Sequence, residues 1–331
     1  MRNRVVGRFA LTTAAIVIAA YWSAHAQQGT PGQPSETQAR GPAPSPQGRG
    51  RGPTEPPQPT PRLADGTVNF GRVPGEKGIW NVPYITNMGM RLIDDQGKSL
   101  APQPEGRGGR GAGGRGGGAP LGGGEGGGAG GGRGGAKSEP WVPFQPWAAA
   151  VYDYNSVNES KYDPEGYCLP PGGPRMMATP YPAEIIQLPE QKRVLMIFEG
   201  ATHIWREIFM DGREHPKGDA LNPTYLGHSV GHYEGDALVV DVVGFNEGTW
   251  LDYFGHPHTD QLHVVERFTR PSKQTLHYEA LVDDPGAYTK PFKMAWDIPW
   301  NARGELTEYI CQENNKYLQR LTDDFGKPLF K

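Results

Sequence analysis

Gly227-His228-Ser229-Val230-Gly231-His232-Tyr233-Glu234-Gly235-Asp236-Ala237-Leu238-Val239-Val240-Asp241-Val242-Val243 is the stretch that decides the fold. Ser229 to Tyr233 and Ala237 to Val243 carry strand-type residues, and Glu234-Gly235-Asp236 between them is a turn, so the segment reads as a β-hairpin. The same pattern recurs on both sides. Ala183 to Leu188 and Arg193 to Phe198 flank Pro189-Glu190-Gln191-Lys192. Gln261 to Thr269 and Thr275 to Val282 flank Pro271-Ser272-Lys273-Gln274. His203 to Met210 is a further β-branched and aromatic run stopped by Asp211-Gly212, and Phe292 to Ile298 and Leu306 to Gln312 complete the set. Short strands joined by tight turns exclude a βαβ fold. They predict a mainly β domain, an antiparallel meander forming a lipocalin-like barrel or a sandwich. One short helix is expected from Pro146 to Asn155, with proline at its start. A barrel of this size holds packed side chains or one small ligand.

Outward from this domain the composition changes. Arg2, Arg4 and Arg8, the apolar stretch Phe9 to Trp22 and Ala24-His25-Ala26 have the three parts of a secretory signal, with cleavage expected before Gln27. The apolar stretch is shorter than the roughly 20 residues that span a bilayer, so no stable membrane insertion is expected once residues 1–26 are removed. Residues 27–61 are dominated by Pro, Gly, Gln, Ser and Thr and are read as a disordered leader. Residues 62–104 hold Gly78-Ile79-Trp80, Tyr84 and the cluster Met88, Met90, Leu92, Ile93, enough for an arm packed on the core but not for a core of its own. Residues 105–137 are almost entirely Gly with scattered Arg, a disordered loop inserted before the β domain at 138–331. Arg-Gly tracts bind RNA in some proteins, but this one lacks interleaved Phe or Tyr and its chain is read as exported. The net charge of −3 among 331 residues gives no reason to expect a nucleic-acid partner. Export to the periplasm or the extracellular space also explains the cysteines: there are two, Cys168 and Cys311, expected to form one disulfide closing a long loop.

Chemistry concentrates in the histidines. Of nine, His25 leaves with the signal peptide and the others all lie between His203 and His277. Strand periodicity puts His228 and His232 on one face, and His203, Trp205 and Glu207 on one face with Arg206 opposite. His256 and His258 flank Pro257 in a loop entering the strand of His263, Glu266 and Arg267. Three readings follow. His256 and His258 with a third His and a carboxylate such as Asp252 or Asp260 are a candidate set for a divalent transition metal, and His256, His258 and Asp260 are its most suggestive cluster, although neither His-Glu-X-X-His nor Cys-X-X-Cys is present. Alternatively His203, His228, His232, His258 and Asp260 carry acid–base catalysis, with Arg206 or Arg267 holding an anion. The third is a cavity for a small aromatic or partly apolar molecule, bound by Trp205, Arg206, Glu207, Tyr233, Trp250, Tyr253 and His263. His215 and His277 read as isolated structural or surface residues, and the charges on Glu266 and Arg267 as structural ions facing adjacent strands. Gly227-His228-Ser229-Val230-Gly231 has the spacing of a serine-hydrolase elbow, but it enters a hairpin and not a strand-to-helix turn. No phosphate-binding Gly-X-X-X-X-Gly-Lys-Ser/Thr occurs.

Several longer motifs carry a resemblance. They are Cys168-Leu169-Pro170-Pro171-Gly172-Gly173-Pro174-Arg175-Met176-Met177, the hairpin of 227–240, and His258-Thr259-Asp260 with Leu262-His263-Val264-Val265-Glu266-Arg267-Phe268. Asp283-Asp284-Pro285-Gly286-Ala287-Tyr288-Thr289-Lys290-Pro291 and Glu308-Tyr309-Ile310-Cys311-Gln312-Glu313-Asn314 complete them. Together, over about Val73 to Asn314 without the Gly tract, they resemble uncharacterised secreted proteins of soil acidobacteria and proteobacteria. The resemblance implies export and a shared fold, and it transfers no activity. The functional expectation is therefore an exported protein that binds, or binds and transforms, a small molecule, with a metal-dependent hydrolase or lyase and a non-catalytic cell-envelope protein as the alternatives.

Overall fold

Side chains alternate with a period of two through the strands. In β8 (His263–Ser272) Val264, Glu266, Phe268 and Arg270 are buried while Val265, Arg267 and Thr269 are half-buried, and β9 (Thr275–Asp283) repeats the pattern with Leu276, Tyr278, Ala280 and Val282. That alternation is what a sheet wrapped around a core requires. The computed structural model describes residues 56–102, 138–158, 161–200, 204–313, 315 and 327. The expected signal peptide, the expected leader up to residue 55 and the Gly/Arg-rich segment 103–137 lie outside the described residues.

The remaining strands are β1 (Ile79–Asn81), β2 (Leu92–Ile93), β3 (Pro182–Leu188), β4 (Arg193–Phe198), β5 (Trp205–Phe209), β6 (His228–Glu234), β7 (Ala237–Val243) and β10 (Phe292–Asn301). The sheet runs β1-β3-β4-β5-β6-β7-β8-β9-β10, and β10 pairs with β1 to close a nine-strand barrel, with β2 added on β10. The fold is thus a barrel and not a sandwich. The single α-helix among the described residues, α1 (Pro146–Val157), starts at its proline.

An odd number of strands cannot close with every neighbour antiparallel, because each antiparallel step reverses direction and an odd number of reversals does not return to the start. One pair must be parallel, and here it is β5 and β6. Parallel neighbours need a crossover of a dozen residues or more. The segment from Met210 to Gly227 supplies it, tied to the far end of β7 by Thr224 N–H to Gly244 O (3.0 Å) and Asn246 N–H to Thr224 O (2.9 Å).

The lumen is filled by side chains. Met196, Phe198, Ile208, Leu238, Phe268 and Met294 are among the fully buried residues of one continuous core. The buried arginines inside it have partners. Arg206 donates to Glu266 and, through Nε, to Ser229 Oγ (2.9 Å), and Tyr278 donates to the other Glu266 oxygen (2.8 Å). Arg206 and Glu266 are both buried, so a charge pair inside the barrel leaves no orphan. At one end Arg270 donates to the carbonyls of Asn69, Gly71 (3.0 Å) and Lys273 (2.8 Å) and lies over the rings of Trp80 and Trp300. Burial draws its pKa down to about 10, so it stays charged at neutral pH. These bonds pin the N-terminal arm where β1 closes the barrel. Gly78 (φ +155°) is required there, since a Cβ would stand 2.1 Å from the Trp300 ring.

The closing strand is a correction to the sequence reading. Leu306 to Gln312 was expected to be the last strand; it has no strand structure, and the arm supplies β1 instead. The C-terminal segment is held by side chains: Thr307 N–H donates to Glu199 Oε2 (2.7 Å), Tyr181 O–H donates to Tyr309 O–H (2.9 Å), and Cys311 is bonded to Cys168. The disulfide spans 143 residues, a loop whose closure contributes on the order of 4–5 kcal/mol in the chain-entropy account. No helix among the described residues is long and apolar enough to cross a membrane.

Candidate functional site

The parallel seam is short. Only Ile208 and Phe209 of β5 pair with β6, opposite Ser229 and Val230. Trp205, Arg206 and Glu207 have no ladder partner on that side, and a cleft of about 490 Å³ opens beside them. That volume suits a small organic molecule. Its apolar walls include Trp205, Phe209, Leu221 and Tyr225, and Asn222 and His228 bring polar groups. Trp205 is 60 % exposed, an unusual position for so large an apolar ring.

His228 opens β6 because Gly227 precedes it in the left-handed region (φ +67°), where a Cβ would meet Val243 O at 2.8 Å. The second glycine of the motif, Gly231, faces Ile208 and Met210, both 2.7 Å from where its Cβ would be. Both glycines therefore serve close packing, and Ser229 between them turns into the barrel as the acceptor of Arg206.

A hydrogen-bonded chain leads away from His228. Its Nδ1 lies 2.8 Å from His215 Nδ1, and His215 Nε2 lies 2.8 Å from Asp241 Oδ1. His263 Nε2 reaches the same carboxylate, at 3.1 Å from each oxygen. The tautomers follow from these partners. His215 donates Nε2–H to the carboxylate, its Nδ1 accepts from His228 Nδ1–H, and His228 Nε2 is left as the nitrogen that can accept. The ring of His228 stacks on Phe209 (5.2 Å between centroids). Burial, then His215 and Arg213, hold its pKa below the ordinary histidine value. A neutral imidazole backed by a second imidazole and a carboxylate can take a proton at Nε2 while passing its Nδ1 proton toward Asp241.

The other residues singled out from sequence fall elsewhere. Arg206 lines the same cleft but is occupied by Glu266, and Glu207 accepts from Arg193 (3.0 Å). His203 lies outside the described residues. His232 shares the outer face of β6 with His228 but is exposed and pairs with Glu234 (3.1 Å), which also accepts from Arg267 (2.7 Å). Tyr233 O–H accepts from Gln187 (3.0 Å) in a separate cleft of about 340 Å³ beside Leu63 and Thr67. Tyr253 packs edge-on against Tyr84 in another cleft, and Trp250 is half-buried and lines none of these clefts.

His256, His258 and Asp260 do not converge. His256 is sealed between Phe144 and Tyr152, its Nδ1 2.7 Å from Asp252 Oδ2 but out of line for a hydrogen bond, and its Nε2 3.9 Å from Glu139. Burial by itself raises the Asp252 carboxyl; His256 and the amide N–H groups of Met88 and His256 outweigh it and hold the carboxyl below its ordinary value. His258 bonds Thr249 O–H through Nε2 (2.8 Å) and the Thr259 carbonyl through Nδ1 (3.1 Å), with burial lowering its pKa. Asp260 is exposed. Among the described residues no group of three or more His, Cys, Asp or Glu is arranged to hold a metal ion.

Sequence reasoning passed over His215 and Asp241. His215 sits in a crossover with no periodicity to give it neighbours. Asp241 did leave a signal: it is the one charge in Ala237-Leu238-Val239-Val240-Asp241-Val242-Val243, on the outer face between the strands of His228 and His263. In comparisons with known proteins, no family model, no curated protein and no solved structure matches this chain.

Proposed function

We propose that this chain is an exported small-molecule-binding protein whose ligand, aromatic or partly apolar, occupies the seam cleft and gives a hydrogen bond or a proton to His228. The observation that carries the reading is the Asp241–His215–His228 chain ending at an apolar cleft. Trp205, largely exposed, and Tyr225 offer aromatic surface to a ligand, while Phe209 already carries the His228 ring and the Arg213 guanidinium. A depressed His228 pKa keeps the acceptor nitrogen unprotonated at neutral pH. Export agrees with the disulfide, which persists in oxidising compartments.

A weakly acidic aromatic probe tests this. On titration with 4-nitrophenol below the probe's own pKa, where it is a neutral phenol, the reading expects saturable binding to the mature protein and a red shift of the phenol band as its O–H donates to His228 Nε2. Trp205→Ala should weaken binding about tenfold, a change of about 1.4 kcal/mol. His228→Ala should leave binding in place but abolish the spectral shift. Binding that is indifferent to both substitutions would remove the ligand from this cleft.

A further inference from the structure

A second cleft, of about 450 Å³, lies away from the seam, between the N-terminal arm, the turn at 163–169 and the C-terminal segment. Four tyrosines from four separate stretches of chain line it: Tyr84, Tyr181, Tyr253 and Tyr309. They stand as two pairs. Tyr84 and Tyr253 meet edge to face at 6.1 Å between centroids, and Tyr181 and Tyr309 are tilted against each other at 4.8 Å.

Among the described residues the charges in this cleft do not balance. Asp163 receives a two-pronged contact from Arg175 (2.8 and 2.6 Å), and both side chains are buried. Glu165 also accepts from the same guanidinium (2.7 Å) with its side chain 25 % exposed. Two carboxylates thus share one cation. No Lys, Arg or His is among the described residues that line the cleft. Burial pushes the Glu165 carboxyl up, against the pull of Arg175. Ring faces carry the negative end of the aromatic quadrupole, so tyrosines around an under-compensated carboxylate attract a cation by two routes at once.

We propose that this cleft binds a small organic cation of the quaternary ammonium class, its head among the tyrosine rings and its charge toward Glu165. A neutral ligand of the same shape gains the apolar contact but neither electrostatic contribution. An inorganic cation gains the charge but cannot fill the aromatic walls. The site is separate from the seam, and the two succeed or fail independently.

The test is calorimetric titration of the full mature, disulfide-bonded protein with choline, with 3,3-dimethylbutan-1-ol as its neutral carbon isostere and with glucose as a neutral polyol. Choline should bind, and the isostere at least about tenfold more weakly, a ratio that corresponds to about 1.4 kcal/mol. Tyr84 is 56 % exposed, so Tyr84→Ala should leave the melting temperature unchanged while weakening choline about fivefold. Tyr84→Phe, which keeps the ring, should restore it. Glu165→Gln should weaken choline and leave the isostere unaffected, and His228→Ala should change neither. Equal binding of choline and its isostere, binding of glucose in place of choline, or choline binding that survives both Tyr84→Ala and Glu165→Gln would each overturn the proposal. So would the absence of choline binding to the folded protein.

Discussion

Glu266→Gln isolates the charge buried inside the barrel. The substitution keeps the shape and an oxygen to accept from Tyr278, so the roughly 1 kcal/mol of that hydrogen bond is retained. What it removes is the negative charge facing Arg206, whose side chain is 6 % exposed against 2 % for Glu266. Removing one partner of a buried pair leaves the other charge uncompensated, at about 3–5 kcal/mol. The double variant Arg206→Met, Glu266→Leu removes both charges and fills the space with apolar atoms; the buried hydroxyls of Ser229 and Tyr278 lose these partners at about 1–3 kcal/mol each, so the double variant should cost less than the two single losses added. Urea unfolding with the disulfide intact, followed by far-ultraviolet circular dichroism and tryptophan fluorescence, gives each value, and the cycle of single and double variants gives the coupling. If Glu266→Gln costs less than about 1 kcal/mol, or the single losses simply add in the double variant, the Glu266 charge is not what compensates Arg206 inside the barrel.

Other expectations concern packing, cross-linking and acid. Gly231→Ala should destabilise by about 1–3 kcal/mol in the same urea assay, because the new methyl meets Ile208 and Met210 at 2.7 Å; an unchanged midpoint would show that β5 and β6 separate freely. Replacing Cys168 and Cys311 together by Ser should lower stability by on the order of 4–5 kcal/mol and expose the segment after Asn301 to limited proteolysis, since the bond anchors it. His258 is neutral and its pKa is lowered in the fold, whereas the unfolded chain titrates near its ordinary value of about 6.5. The unfolded state therefore binds the proton first, and stability should be level above about pH 6.5 and fall as the pH drops below it. His258→Gln should flatten that acid slope, and an identical slope in the variant would place the titration elsewhere.

Much of the barrel was legible in the sequence. The hairpins of β3–β4, β6–β7 and β8–β9 announce themselves through alternation and turn residues, both of which act over a few residues of chain. Strand ends were less legible: β8 runs on through Pro271 to Ser272, with an irregularity between Thr269 and Ser272 that absorbs the proline. The cysteine pair was legible from its count and the expected compartment. The candidate site was legible in part. His228, Trp205 and His263 stood out by residue type, whereas His256 and His258 stood out equally and turned out to be sealed among Phe144, Tyr152 and Thr249.

Local pattern thus determined by itself that the chain makes short strands, where they turn and which faces are apolar, because propensity and periodicity belong to neighbouring residues. Tertiary structure alone decided which segment closes the barrel. Leu306 to Gln312 has the composition of a strand, but Ile79 to Asn81, reached from the other end of the domain and pinned by Arg270, takes the place between β3 and β10. Closure with an odd number of strands then forces one parallel pair, and the short seam it leaves is where the cleft and the Asp241–His215–His228 chain come together. Those contacts join residues from a crossover and two strands, and no spacing along the chain encodes a distance across a closed sheet.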